Sequence, residues 1–277
     1  MKPIVIDIEQ RRGDNQFQGI LCMSFSVMGN EPGSKRIKAS LFVTCLVDLF
    51  FPQVGESVVR VLRRLGVDVD FPNEQTCCGQ PAFNSGYTDD ARALAERFVG
   101  VFSGDSRDTY IVSPSGSCAS MVKVFYEELF KNDPALCDAL SKVSSRVYEF
   151  SSFLTDVLGV EDVGASYDGV VTYHDSCHLL RELGISEAPR RLIKSVSGVK
   201  FIEAEMHDEC CGFGGTFSVK HPEVSVSMLD EKLTHIGKSG ADTLVSTDMG
   251  CLMQIGGAVS RRELPIRVMH LAELLAS

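Results

Sequence analysis

Glu74-Gln75-Thr76-Cys77-Cys78-Gly79-Gln80-Pro81 and, later in the chain, Asp208-Glu209-Cys210-Cys211-Gly212-Phe213-Gly214-Gly215 share one Cys-Cys-Gly core. Each pair has outriders at nearly fixed distances. Cys45 precedes the first pair with 31 residues between, and Cys118 follows it with 39 between. Cys177 precedes the second pair with 32 between, and Cys251 follows it with 39 between. The offset from a first-half cysteine to its counterpart is 132 residues for Cys45 and 133 for the other three. Eight of the ten cysteines therefore fall into two copies of one frame, too regular to be chance.

A duplicated cysteine frame can mean disulfides, zinc, an iron–sulfur cluster or redox-active thiols. With 277 residues, 44% of them hydrophobic, the chain can build real cores without the disulfide staples of short secreted proteins. The apolar run from Gly19 to Gly29 lacks a basic lead-in and a small-residue cleavage site, and Leu21-Cys22 is a poor lipoprotein site. No run approaches the roughly 18–20 apolar residues of a membrane span. These features predict a soluble cytoplasmic protein, where clustered cysteines bind metal or do redox chemistry. A net charge of -10 argues against a nucleic-acid groove, which needs a basic face.

Around the cysteines the pattern is α/β. Ala39–Thr44, Val67–Phe71 and Thr109–Val112 read as short buried strands, separated by helical spacing over Gly55–Leu65 and Tyr87–Phe102. A further helix is expected from Cys118 to about Lys131. Pro134–Leu158 reads as a helical join and 159–168 as a loop, after which the pattern restarts. Strands are expected at Val170–Tyr173, Val199–Glu203, Thr243–Ser246 and Ile266–Val268. Helices are expected at Pro189–Val196, Glu223–Ile236, from Cys251 onward and at Leu271–Leu275. Residues 1–36 lack periodicity and end in a linker-like stretch, so they read as a disordered or mis-assigned extension carrying a spectator thiol, Cys22. The expected domains are 37–150 and 151–277, each a small, mostly parallel sheet with flanking helices.

On this placement all four cysteines of each half lie just past the carboxyl ends of parallel strands, the crevice where open α/β sheets bind ligands. Cys118 and Cys251 also fall near helix N-termini, where the dipole favours thiolate. Gly79 and Gly212 let the backbone turn sharply after two adjacent ligands. Four thiolates suit structural zinc as well as an iron–sulfur cluster. The adjacent pair favours a polynuclear cluster, because neighbouring side chains diverge and can each grip a different iron. Zinc and metal-free dithiol chemistry remain the alternatives.

The doubled frame resembles the CCG (cysteine-rich) domain family of iron–sulfur oxidoreductase components, which includes the cysteine-rich chain of heterodisulfide reductase. Within that family the chain is most similar to the lactate-utilization members. The phrases that carry the likeness are Phe42-Val43-Thr44-Cys45-Leu46-Val47-Asp48, Cys77 to Gly86, His174-Asp175-Ser176-Cys177-His178, Cys210 to Ser218 and Gly250-Cys251-Leu252-Met253. The resemblance covers about residues 37–277. It implies two tandem, pseudo-symmetric CCG domains, each holding one cluster, most simply [4Fe–4S]. Cys45, Cys77, Cys78 and Cys118 would be the iron ligands of one, and Cys177, Cys210, Cys211 and Cys251 of the other. It also implies a cytoplasmic redox component of a multi-protein system oxidising L-lactate to pyruvate. Its partners would be a ferredoxin-domain iron–sulfur protein and a third small protein.

Two departures matter. Heterodisulfide reductase repeats end in C-x-x-C, whereas the equivalents here are Cys118-Ala119-Ser120-Met121 and Cys251-Leu252-Met253-Gln254, which favours simpler four-cysteine clusters over direct disulfide reduction. No ferredoxin run of cysteines is present, so electrons pass to or from another chain. No G-x-G-x-x-G follows a strand, so no dinucleotide site is expected.

His174 and His178 flank Cys177 and are candidates for a hydrogen bond to cluster sulfur or for proton transfer. The alternative is capping or packing at the strand–helix junction. The first half has no such histidines, so the two sites should differ in potential or exposure. Arg181 reads as a surface cation with a weaker case for holding a carboxylate. Phe213-Gly214-Gly215 reads as a loop bringing amides against sulfur. His207, His221, His235 and His270 are assigned to the surface, and Cys137 to a buried core.

Overall fold

The computed structural model describes residues 36–104 and 108–277. Cys22 and all but the last residue of the expected extension 1–36 therefore lie outside the described residues. Two four-stranded sheets form, both entirely parallel. In the first, β1 (Lys38–Leu41), β2 (Asp68–Asp70), β3 (Thr109–Ser113) and β4 (Val147–Glu149) take the order β2-β1-β3-β4. In the second, β5 (Ser166–Tyr173), β6 (Ser197–Phe201), β7 (Thr243–Ser246) and β8 (Arg267–His270) repeat that order as β6-β5-β7-β8. The chain thus folds the same way twice. In this order the connections reverse direction between β1 and β3, and again between β5 and β7, so each sheet has one switch point.

The helices follow from apolar stripes and caps. Pro52–Arg64 starts with proline in its first turn, buries Val54, Val58, Val61 and Leu62, and stops at Gly66, whose φ is 80°. Its burial partner comes from the other half: it packs on the C-terminal helix Leu271–Leu275. The reciprocal contact is made by Glu187–Ser195, which packs on Phe150–Ser152 of the first half. One hydrophobic core consequently runs through both halves, taking in Val58, Leu62, Phe150, Leu192, Leu271 and Leu275. Two smaller cores sit behind the cysteines, one around Phe42, Phe98 and Tyr126 and the other around Leu229, Ile236 and Ile255.

Most expected elements occur within a few residues of their predicted bounds. The exception is the join. Pro134–Ser144 is helical, but the chain then enters β4, followed by Phe150–Ser152 and a π-helical turn, Phe153–Val157. Val147 and Glu149 are buried on a strand of three residues, too short for any periodicity to mark it. The stretch 159–168, read as a loop, already contains the start of β5. Among the described residues no helix is long and apolar enough to cross a membrane.

Candidate metal centres

Each leading cysteine opens a helix just past a central strand. Cys45 begins Cys45–Phe50 after β1, and Cys177 begins Cys177–Arg181 after β5. The trailing cysteines, Cys118 after β3 and Cys251 after β7, are each the third residue of a helix. The vicinal pairs arrive after β2 and β6, followed by Gly79 and Gly212 at φ 84° and 81°. Sequence-distant thiols thus meet at the switch point of each sheet. Cys45 Sγ lies 3.6 Å from Cys77 Sγ, while Cys78 Sγ lies 3.4 Å from Cys118 Sγ. The two thiols of the first vicinal pair therefore each meet a different outlying cysteine.

Backbone and thiol dipoles converge on one sulfur in each half. The amide of Gly79 donates to Cys77 Sγ and that of Gly212 to Cys210 Sγ, both at 3.4 Å. Cys77 is pushed down to about 3, first by the thiol of Cys45 and then by that of Cys78. Cys210 is pushed down to about 2 by the corresponding thiols of Cys177 and Cys211. Donation to these sulfurs and then burial push Cys45 and Cys177 up. Each quartet is thus a set of free thiols gathered around one sulfur that also accepts a backbone amide.

The two quartets face each other. All eight cysteines line one cavity of about 320 Å³, together with His178, Asp248 and the Phe213-Gly214-Gly215 loop. Among its described lining residues there is no lysine or arginine. Asp248 joins the two sides. Its Oδ1 accepts from the Gly250 amide at 3.0 Å, capping the Cys251 helix. Its Oδ2 accepts from the Ser117 amide at 2.8 Å and the Ser115 hydroxyl at 3.2 Å, at the start of the Cys118 helix. At the mouth the Ser85 and Thr216 hydroxyls are 2.8 Å apart, linking the loops after the two vicinal pairs.

Behind the thiols the halves differ. In the first, Gln75 ties the Cys45 and Cys77 loops together, accepting from Val43 N–H at 2.9 Å and donating to Leu41 O at 3.0 Å. In the second, Arg190 is buried and grips Asp175 with both terminal nitrogens, at 2.9 and 2.6 Å. Arg190 also reaches Glu203 at 2.7 Å, and Asp175 reaches His207 Nδ1 at 2.7 Å. Lys232 is 2% exposed and donates to Met206 O and His207 O at 2.8 and 2.7 Å. The sequence signal for Lys232 was its place on the helical stripe Leu229, Leu233, Ile236, where a surface charge does not belong. Arg190 left no comparable mark.

The histidines occupy more varied places than their sequence spacing suggests. His174 is 1% exposed and sits behind the second quartet, whereas His178 lines the cavity edge-on to Phe125 at 6.0 Å. His270, expected at the surface, is fully buried. It caps the last helix through Nδ1, and its Nε2 meets Pro114 O of the first half at 2.8 Å. His207, also expected at the surface, is half-buried in the Arg190 cluster. Cys137 is only half-buried, its thiol donating to Phe130 O at 3.1 Å. Arg181 is exposed and outside the cavity.

The profile of the cysteine-rich domain (CCG) family matches twice, over residues 39–123 and 171–256. The chain belongs to this family. Lactate utilization protein A of Geobacillus kaustophilus is 49% identical over 239 residues, 86% of this chain and 98% of that protein. Lactate utilization protein A of Bacillus subtilis is 48% identical over 241 residues, 87% of this chain and 100% of that one. The chain also shares its fold with a hypothetical protein of Helicobacter pylori, at a TM-score of 0.60 and 12% identity. That match covers 89% of this chain, which spans 49% of the Helicobacter protein's length. Membership in the CCG family and the two parallel sheets agree with the fold expected from the sequence, and the relatives connect the chain with lactate utilization.

Proposed function

We propose that this chain is the cytoplasmic iron–sulfur redox component of a multi-protein system that oxidises L-lactate to pyruvate, with one cluster in each repeat. The observation that carries this reading is the meeting of two reduced four-cysteine sets at one cavity. The donor set fits a polynuclear group: four thiols per half, with Cys77 and Cys78 in the first half each meeting a different outlying cysteine. Cys45, Cys77, Cys78 and Cys118 would hold one [4Fe–4S] group and Cys177, Cys210, Cys211 and Cys251 the other, each supplying one-electron storage when bound. Zinc would fit the same donors but would leave the chain without redox chemistry.

The protein's own residues support transfer of electrons over binding of lactate. The Gly79 and Gly212 amides donate to sulfur, which stabilises added negative charge and tunes potential. The described cavity lining has no lysine or arginine to hold a carboxylate, and it carries the acidic Asp248. On this reading lactate is oxidised on a partner chain. The partners of this reading are a ferredoxin-domain protein and a third small protein, in keeping with relatives named for lactate utilization.

Anaerobically purified protein tests this. Visible absorption should bleach stepwise with dithionite, stay unchanged with L-lactate alone, and bleach with L-lactate once the partner proteins are added. Bleaching by lactate alone would overturn the relay, and colourless, zinc-loaded protein would overturn the redox reading altogether.

A further inference from the structure

The duplicated frame places Phe42 and His174 at equivalent positions, 132 residues apart and each three residues before a leading cysteine. Phe42 is fully buried and packs edge-on against Phe98 and Phe102, with ring centroids 4.8 and 5.9 Å away. His174 occupies the same kind of place, at 1% exposure, with no hydrogen-bond partner on either ring nitrogen. A neutral imidazole carries one donor and one acceptor, and burying either unmade forfeits its hydration without replacement. An apolar ring serves this position in the first half, so packing alone does not call for histidine.

The surroundings show where the ring is directed. A His174 ring nitrogen and the sulfurs of Cys211 and Cys251 all lie within 4.8 Å of one another, and all three residues are buried. The His207 carbonyl, near the ring, already accepts from Lys232 Nζ at 2.7 Å and from the Asp175 amide at 3.2 Å. A ring N–H can share that carbonyl, as metal-bound histidines commonly do with their second nitrogen. The other nitrogen is left with a lone pair beside two thiols.

We propose that His174 is a fifth donor to the metal centre held by Cys177, Cys210, Cys211 and Cys251, whereas the first-half centre is held by cysteine alone. This rests on the reading that the quartets bind iron, and it makes the two centres chemically distinct within a symmetric frame. As a fifth donor the imidazole adds electron density to iron without displacing a thiolate, which favours the oxidised cluster, so the second-half centre has the lower potential.

Pulsed EPR on dithionite-reduced Cys78→Ala protein, which retains the second-half centre, should show hyperfine coupling to a histidine nitrogen. The coupling should change when the protein is grown with ¹⁵N-histidine. Cys211→Ala protein, which retains the first-half centre, should show none. His174→Phe, copying Phe42, should abolish the coupling and raise the midpoint potential of the second-half centre only. Iron-loaded Cys78→Ala protein without histidine-nitrogen coupling overturns the inference. Absence of iron from the wild-type protein overturns the iron reading itself, so the two failures are distinguishable. The isotope comparison decides the matter even if His174→Phe fails to fold.

Discussion

Gly212 follows two adjacent cysteines at φ 81°, and a Cβ built there would meet the Ser225 carbonyl oxygen at 2.5 Å. Gly79 has the same backbone, yet its nearest obstacle, the Ala91 carbonyl oxygen, lies at 3.2 Å. Both alanine substitutions incur the left-handed penalty, but Gly212→Ala must also push backbone much further aside than Gly79→Ala. We expect Gly212→Ala to cost about 1–3 kcal/mol more than Gly79→Ala and to lose second-half metal preferentially. Thermal melts and metal content of the two variants check this; equal melting temperatures would contradict it. At this scale the sequence was readable where residue type and spacing carry chemistry, as with the cysteines and the two glycines. It was opaque for Arg190, a buried charge whose partners Asp175, Glu203 and His207 come from other segments. Helical spacing alone cannot tell such a residue from a solvated one.

Strands β4 and β8 end the two sheets alike, each delivering a buried polar residue that caps the next helix. Glu149 accepts from the Ser151 and Ser152 amides, and His270 accepts from the Ala272 amide. Burial drives the two caps oppositely: Glu149 rises to about 7 and His270 falls to about 4, so both are uncharged between those values. Glu149 binds its proton more tightly folded than unfolded. Its contribution is therefore complete below about pH 4.5 and is lost as pH rises through about 7, by on the order of 3 kcal/mol. Glu149→Gln keeps an acceptor for the cap and cannot ionise. Between pH 5 and pH 8 its melting temperature should fall less than that of the wild type. Parallel melting curves for the two proteins would contradict the assignment. β4 itself escaped the sequence reading because a three-residue buried strand has no period, and its partner β3 is distant in the chain. Long amphipathic helices such as Pro52–Arg64 and the four-residue run of β7 were legible because one face or one stretch is uniformly apolar.

Across the whole molecule the two repeats are not separate beads. The Pro52–Arg64 helix packs on the C-terminal helix of the other half, and Arg64 donates to Val163 O, Leu275 O and Ala276 O at 3.1 to 3.3 Å. Asp248 and His270 tie the second half to the loop after β3. This exchange of packing turns the carboxyl ends of both sheets toward one cavity, which the spacing of cysteines could not foretell. It also poses the central question of whether the quartets build two centres or share one. Iron and acid-labile sulfide per chain, in anaerobically purified wild type, Cys78→Ala and Cys211→Ala, answer it most directly. Two separate centres predict about eight iron and eight sulfide in the wild type and about four of each in either variant. Loss of all iron from a single variant, or zinc without sulfide in the wild type, would contradict the account.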